Sequence, residues 1–386
     1  MRKKISYLSI FIVVVILTSC TNPIDNSEKF IFVAHTRVNS KKHPQTVNNR
    51  LKNIDLSAFS LVLLGGDLTP EIAEDERSIA HVDSIFDFGS DSTLWALGNH
   101  DYSDLKLVKK YTHRPPYYAK YHNGITFVVL DTQDDYSNIK GDQLSLLKSV
   151  TDTISASSHF VIMHHKLIWW LGNPVLKSQK YLPNAPTGTC FDCLNKNNFY
   201  QDVYPLAQDV QERGIQVLFV GGDLGFQTSR FEHKTADGII FLANGLHGFR
   251  KNIIGKNRYL VFNHDSKKAQ LTWEYRALWM KAQYNNATMN KIRRYKKKIL
   301  ADSDRTNRIA KKAIRKGNTF DEQLQLDAIR INVPSELEAV KARKRLSMKT
   351  DLDWYSQLKS DAIKRGVSLE EWMEINIKWM LDNDQF

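Results

Sequence analysis

The sequence predicts an α/β layered fold followed by an all-helical appendage, and three observations carry that reading. Short β-branched runs alternate with amphipathic helical stretches between Phe30 and about Tyr275. The runs are continuously apolar, the pattern of strands buried on both faces. After Tyr275 only helical periodicity remains, and part of it recurs at an offset of 49 residues.

The predicted strands are Phe30–Val33, Leu61–Leu64, Leu94–Leu97, Thr126–Leu130, Phe160–Met163 and Val217–Val220. Helical patterns lie between several of them, at Glu71–Phe86, Asp142–Thr153 and Val203–Arg213. Later runs, Ile239–Ala243, Tyr259–Phe262 and Gln270–Tyr275, read as antiparallel hairpins. Polar residues that follow each strand should gather at the carboxyl edge of a sheet, where such folds build their sites. In the appendage, residues 313–331 match 362–380. Each unit reads as a helix stopped by Gly317 or Gly366, then a capping box, then an amphipathic helix. The boxes are Thr319 with Glu322 and Ser368 with Glu371.

The chain has 386 residues, 42% of them hydrophobic, with three cysteines, which excludes disordered, collagen-like and disulfide-dense classes. Its formal charge of +12 is unevenly placed. Residues 1–4 carry +3, residues 5–280 carry 28 basic against 27 acidic, and residues 317–386 carry 10 against 13. Residues 281–316 carry 13 against 2 and hold nearly all of the excess.

At the amino end, Arg2-Lys3-Lys4 precedes an apolar run from Ile5 to Leu17, which is short for a membrane span. The tetrapeptide Leu17-Thr18-Ser19-Cys20 resembles the lipobox of bacterial lipoproteins. The resemblance implies a signal peptide over residues 1–19, acylation of Cys20 and a polar tether to residue 28. It places the protein on a membrane of the bacterial cell envelope, periplasmic or surface side. Cys190 and Cys193 form a C-x-x-C pair, read as a redox motif, half of a zinc site or a local disulfide. Outside the cytoplasm the disulfide is the plainest of the three.

Five clusters close the predicted strands: Ala34-His35-Thr36-Arg37, Gly65-Gly66-Asp67-Leu68-Thr69, Gly98-Asn99-His100-Asp101, Met163-His164-His165 and Gly221-Gly222-Asp223-Leu224-Gly225. A carboxamide, an imidazole and a carboxylate side by side after a buried strand favour metal and phosphate chemistry over folding. In order and spacing the series resembles the calcineurin-like metallophosphoesterases, whose blocks run D-x-H, G-D-x-x-D, G-N-H-D/E, a strand-end H, and G-H-x-H. The resemblance covers residues 30–275. It implies a four-layer α/β/β/α sandwich over residues 29–276, with the basic appendage at 277–386.

By that resemblance the metal ligands are Asp67, Asn99, His164, Asp223 and His35. His100 contacts the phosphate or protonates the leaving group, with Arg37 and Asp101 completing the catalytic set. Two departures weaken one of the family's two metal sites, since Arg37 and Gly225 stand where it has ligands. One divalent ion (Mn, Fe, Zn or similar) is supported better than two, and Arg37 would supply a fixed positive charge in place of the missing one. His247 reads as a loop histidine or a replacement ligand. Trp169 and Trp170 read as substrate-stacking or core residues, and 173–200 as a lid. The implied substrate is a phosphorylated small molecule or phosphodiester, hydrolysed by metal-activated water. The alternative is a silent phosphoesterase fold acting as a binding or scaffold lipoprotein. For residues 281–316 the readings are an anionic membrane surface, a polyanion or a solvated helix face, with nucleic acid the least favoured.

Overall fold

The computed structural model describes residues 27–38, 43–173, 175–176, 197–225, 228–246, 257–278, 286–316 and 318–383. Cys20, Cys190, Cys193 and His247 lie outside these residues, as does most of the expected lid. The strands form two sheets. From edge to edge, the first contains β11 (Gln270–Ala277), β10 (Arg258–Asp265), β1 (Ser27–Val33), β2 (Leu61–Leu64) and β3 (Thr93–Trp95). The second contains β4 (Tyr118–His122), β5 (Ile125–Val129), β6 (His159–His164), β7 (Gln216–Gly221), β9 (Ile240–Asn244) and β8 (Arg230–Lys234).

Strands β1, β2 and β3 are mutually parallel, as are β5, β6, β7 and β9. The period-two alternation of side chains sorts each strand between two cores. Phe30, Phe32, Leu61 and Leu63 meet Phe127, Val129, Val161, Met163, Leu218 and Val220 between the sheets. The intervening Ile31, Val33, Val62 and Leu64 face outward and are covered by α1 (Glu76–Phe86) and α2 (Leu105–Thr112). On the far side Val128, Phe160, Ile162 and Phe219 are covered by α3 (Gly141–Thr153) and α4 (Tyr204–Glu212). The result is the expected α/β/β/α sandwich.

Several boundaries differ from expectation for local reasons. Helix α1 starts at Glu76, five residues after the apolar pattern begins, because the Asp75 side chain accepts from the amides of Arg77 and Ser78 and fixes the cap there. The run at 239–243 is not half of a hairpin with the next strand. It lies parallel to β7, and the antiparallel partner is β8, which precedes it. Strands β4 and β8 are sheet edges with mixed burial, so their sequences carry no continuous apolar run. Trp169 and Trp170 belong to the core beneath α3 and α4; Trp169 stacks on Phe231 and Phe241 at 5.2 and 5.1 Å. Neither indole is available to stack on a substrate.

The appendage contains α5 (Asn286–Leu300), α6 (Ser303–Lys316), α7 (Phe320–Asn332), α8 (Pro334–Thr350), α9 (Leu352–Arg365) and α10 (Leu369–Asp382). The 49-residue repeat extends to all three helices of each unit. Buried Ile299, Ile309, Ala313, Leu324 and Ala328 correspond at that offset to buried Met348, Leu358, Ala362, Met373 and Ile377. The caps correspond too: Asp302 accepts from Arg305 N at 3.0 Å, and Asp351 from Trp354 N at 3.0 Å. The Thr319–Glu322 capping box is complete, whereas the Ser368 hydroxyl makes the forward bond to Glu371 N. Glu322 also joins the unit to the sandwich, accepting from Ala277 N at 2.8 Å and from Arg258 Nη1 at 3.5 Å. Among the described residues no helix is long and apolar enough to cross a membrane.

Replacing Trp169 with Ala should lower unfolding stability by about 3–5 kcal/mol, because it removes a fully buried indole from between two phenyl rings. Urea unfolding of both proteins measures the difference.

Candidate metal and phosphate site

The site forms where β1, β2, β3, β6 and β7 end at one edge of the two sheets. Glycines allow the approach. A side chain on Gly66, which has φ +89°, would come within 2.6 Å of His165 Nδ1. One on Gly222 would overlap the Gly65 carbonyl oxygen. Two non-glycine residues at the same edge, His35 and Asp67, take positive φ of 53° and 55°. Such strain persists only where the surroundings enforce it, and it concentrates at functional sites.

Asp101 enforces much of this geometry. Its Oδ2 accepts from the amides of Asp67 at 2.7 Å and Gly98 at 2.9 Å, and its Oδ1 accepts from Leu68 N at 3.1 Å. One fully buried carboxylate therefore ties the loop after β2 to the loop after β3. With both oxygens so committed, Asp101 is placed to position these loops, whereas the sequence reading puts it in the catalytic set. Burial, and next the charge of Asp67, push its carboxyl up to about 7, while the Gly98 amide, the charge of His165 and the Leu68 amide act against that rise.

Asp67 is the centre of the site. Its Oδ2 lies 3.2 Å from His35 Nε2, 3.4 Å from Arg37 Nη1 and 3.9 Å from His100 Nε2. Its Oδ1 lies 3.5 Å from His165 Nε2 and accepts from His100 N at 3.1 Å. Burial opposes its charge, but His165, His35 and Arg37 outweigh it and hold the carboxyl well below the usual range. His35 is also pushed below its usual range: burial disfavours its imidazolium more than Asp67 favours it.

The strand-end histidine near Asp67 is His165, whereas the sequence reading selects His164. His164 Nδ1 is 2.7 Å from Lys166 O, its ring lies 6.2 Å from Phe219, and burial pushes it down to about 3. His165 sits 3.5 Å from Asp67 Oδ1 and 3.8 Å from Asp223 Oδ1. The parity of β6 explains this: Val161 and Met163 face the space between the sheets, so residue 165 continues that face. Asn99, the other expected ligand, is exposed between Gly98 and His100.

The fit to a cation rests on His165. Its Nδ1 lies 2.7 Å from the Gly65 carbonyl oxygen, which only accepts, so Nδ1 carries hydrogen. Its Nε2 is buried, makes no hydrogen bond, and faces two carboxylates. A lone pair aimed at two carboxylates is repulsive unless a proton or a metal cation lies between. Asp67 and Asp223 are the carboxylates nearest this nitrogen, and the Gly65 carbonyl fixes the tautomer. As they stand, no three His, Cys, Asp or Glu side chains among the described residues are close enough together to hold a metal ion. The opposite side of Asp67 does not fit a second ion. Arg37 occupies it, and a side chain at Gly225 (φ +133°) would run into the Leu246 carbonyl oxygen.

Asp101→Asn should cost about 2–4 kcal/mol in urea unfolding, because an amide NH2 would face backbone donors that lose their acceptor. Asp104→Asn, at the exposed cap of α2, should cost under about 1 kcal/mol.

No family model and no curated protein matches the chain. Among solved structures it is similar to a dimetal phosphatase from Danio rerio, with 12% identity and a TM-score of 0.40 over 65% of this chain and 96% of that one.

Proposed function

We propose that this protein hydrolyses a phosphate mono- or diester at the carboxyl edge of its two sheets, using one divalent ion held by Asp67, His165 and Asp223. The observation that carries the proposal is the buried His165 Nε2, without a hydrogen bond and facing Asp67 and Asp223. Such an ion supplies Lewis-acid chemistry, stabilising charge on phosphoryl oxygens and acidifying water.

The chain's own groups supply the rest. Arg37 has one nitrogen against Asp67 and its side chain 14% exposed, which sets its charge at the mouth of the site. It brings a permanent positive charge that needs no ligand set. His100 Nδ1 lies 2.5 Å from the Pro70 carbonyl oxygen, so Nδ1 holds hydrogen and Nε2 is the atom that exchanges a proton. Its half-buried ring suits protonation of a leaving group at the mouth of the site. Asp101 acts by keeping the Asp67 and His100 loops together.

We also propose that Cys20 is acylated and holds the protein on the bacterial cell envelope. The support is the basic n-region, the short apolar run and the Leu17–Cys20 tetrapeptide. Labelled palmitate should enter the wild type in bacterial cells and not Cys20→Ser; label in both would contradict acylation at this residue.

The Arg37–Asp67 pair favours a second reading, a phosphate-ester binder without turnover, because it fills one side of the site with a fixed charge. An assay of manganese-supplemented protein on p-nitrophenyl phosphate and bis(p-nitrophenyl) phosphate separates the two. Hydrolysis should vanish in Asp67→Asn and His165→Gln, and fall about a hundredfold in His100→Ala. Undiminished hydrolysis in Asp67→Asn would refute the site, and ester binding without hydrolysis would establish the second reading.

A further inference from the structure

The two helical units of the appendage provide an internal comparison. They share caps and core positions at an offset of 49 residues, so differences on their surfaces are not needed to build the helices. Residues 286–316 carry 12 Lys and Arg against 2 Asp and Glu, and the matching residues 335–365 carry 8 against 5. Exposed Arg293, Lys297, Lys298 and Lys311 correspond to Ala342, Leu346, Ser347 and Ser360. Arg293, Arg294, Lys297, Lys298, Lys311 and Arg315 form no ion pair with any described residue. Arg293 and Lys297, Arg294 and Lys298, and Lys311 and Arg315 are like charges four positions apart, which weakens a helix. Lys344, from the second unit, is held below its usual range by burial and then by Lys316, so the positive surface reaches α8.

The second unit departs from the first in the opposite sense. Leu346, Leu352, Ile375 and Trp379 are 62%, 78%, 44% and 54% exposed, whereas exposed Ile363 has an equally exposed counterpart in Ile314. Trp379 corresponds to Arg330, and Ile375 to Leu326, which is buried in the first unit. On α10, Ile375 and Trp379 are four apart and share one stripe; on α9, Leu352 and Ile363 are eleven apart and share another. The first unit therefore exposes unpaired cations beside Leu300 and Ile314, and its copy exposes more large apolar side chains, including a tryptophan. A bilayer interface rewards both at once: anionic headgroups attract the cations, and the acyl boundary takes the apolar groups and the indole. A nucleic acid or soluble polyanion would use the cations alone.

We propose that the helical appendage docks on anionic phospholipid bilayers, the cations of α5 and α6 meeting headgroups while apolar groups of α9 and α10 enter the interface. The proposal does not depend on phosphoester hydrolysis or on acylation of Cys20.

The test measures flotation of the full chain with phosphatidylcholine vesicles and with vesicles containing 30 mol% phosphatidylglycerol. The readout is the ratio of the two affinities, in which any lipid anchor cancels. The ratio should exceed about a hundred at low salt and collapse in 0.5 M NaCl. Arg294→Glu/Lys298→Glu/Lys311→Glu should reduce it about a hundredfold, and the same three residues changed to Gln about tenfold, which guards against misfolding of the reversed variant. Ile375→Asp/Trp379→Asp should weaken binding to the anionic vesicles about tenfold or more. A ratio near one overturns the proposal, as does a ratio unmoved by the charge variants. Apolar variants that change the oligomeric state without changing vesicle binding would assign that surface to a second copy, and preferential binding of a 40-nucleotide DNA would assign the cations to nucleic acid. Either result rejects the bilayer.

Discussion

The three amides bound by Asp101 are the constraint on which the site depends. They come from residues 67, 68 and 98, so a single buried carboxylate fixes two loops that leave different strands. That grip holds Asp67 in a left-handed backbone conformation and presents its carboxylate to the groups around it. Backbone donors at a sheet edge must be satisfied, and a carboxylate with four lone-pair positions does this compactly. The glycines at 66 and 222 are the complementary requirement, since the strand ends could not close around Asp67 with side chains there.

Around Asp67 the charge is arranged unevenly. One oxygen faces His35 and Arg37; the other faces His165, beyond which lies Asp223. The first side is neutralised by the protein itself. The second side concentrates negative charge next to an imidazole nitrogen that has no donor to meet it. This asymmetry distinguishes the site from one with a metal on each side of a bridging carboxylate. It gives the two halves different character: permanent positive charge on one, uncompensated carboxylates on the other.

Much of the fold was legible because its central strands are buried on both faces and read as uninterrupted apolar runs. The edge strands β4 and β8 were not, because Tyr118–His122 and Arg230–Lys234 are half-exposed and their pairing is set by neighbours distant in sequence. The site was legible as clusters and less so as roles. Asp67, His35, Arg37, His100 and Asp223 converge as the motifs imply, but Asp101 is absorbed by backbone amides. The choice between His164 and His165 required strand parity, which the outward Phe160 and Ile162 and inward Val161 and Met163 would have supplied. Trp169 and Trp170 were ambiguous because an aromatic after a strand end serves equally for packing or stacking; the phenyl rings that decide it come from residues 231 and 241. The repeat was visible only over its second and third helices, because the first pair shares buried positions such as Ile299 and Met348 while its surface residues diverge.

The central claim is that the protein binds one cation through His165 and leaves the other side of Asp67 to Arg37. Metal content after equilibrium dialysis against manganese, measured by mass spectrometry, tests this most directly. The account predicts one ion per chain, lost in His165→Gln and retained in His164→Gln. Two ions per chain, or a loss in His164→Gln with retention in His165→Gln, would contradict it.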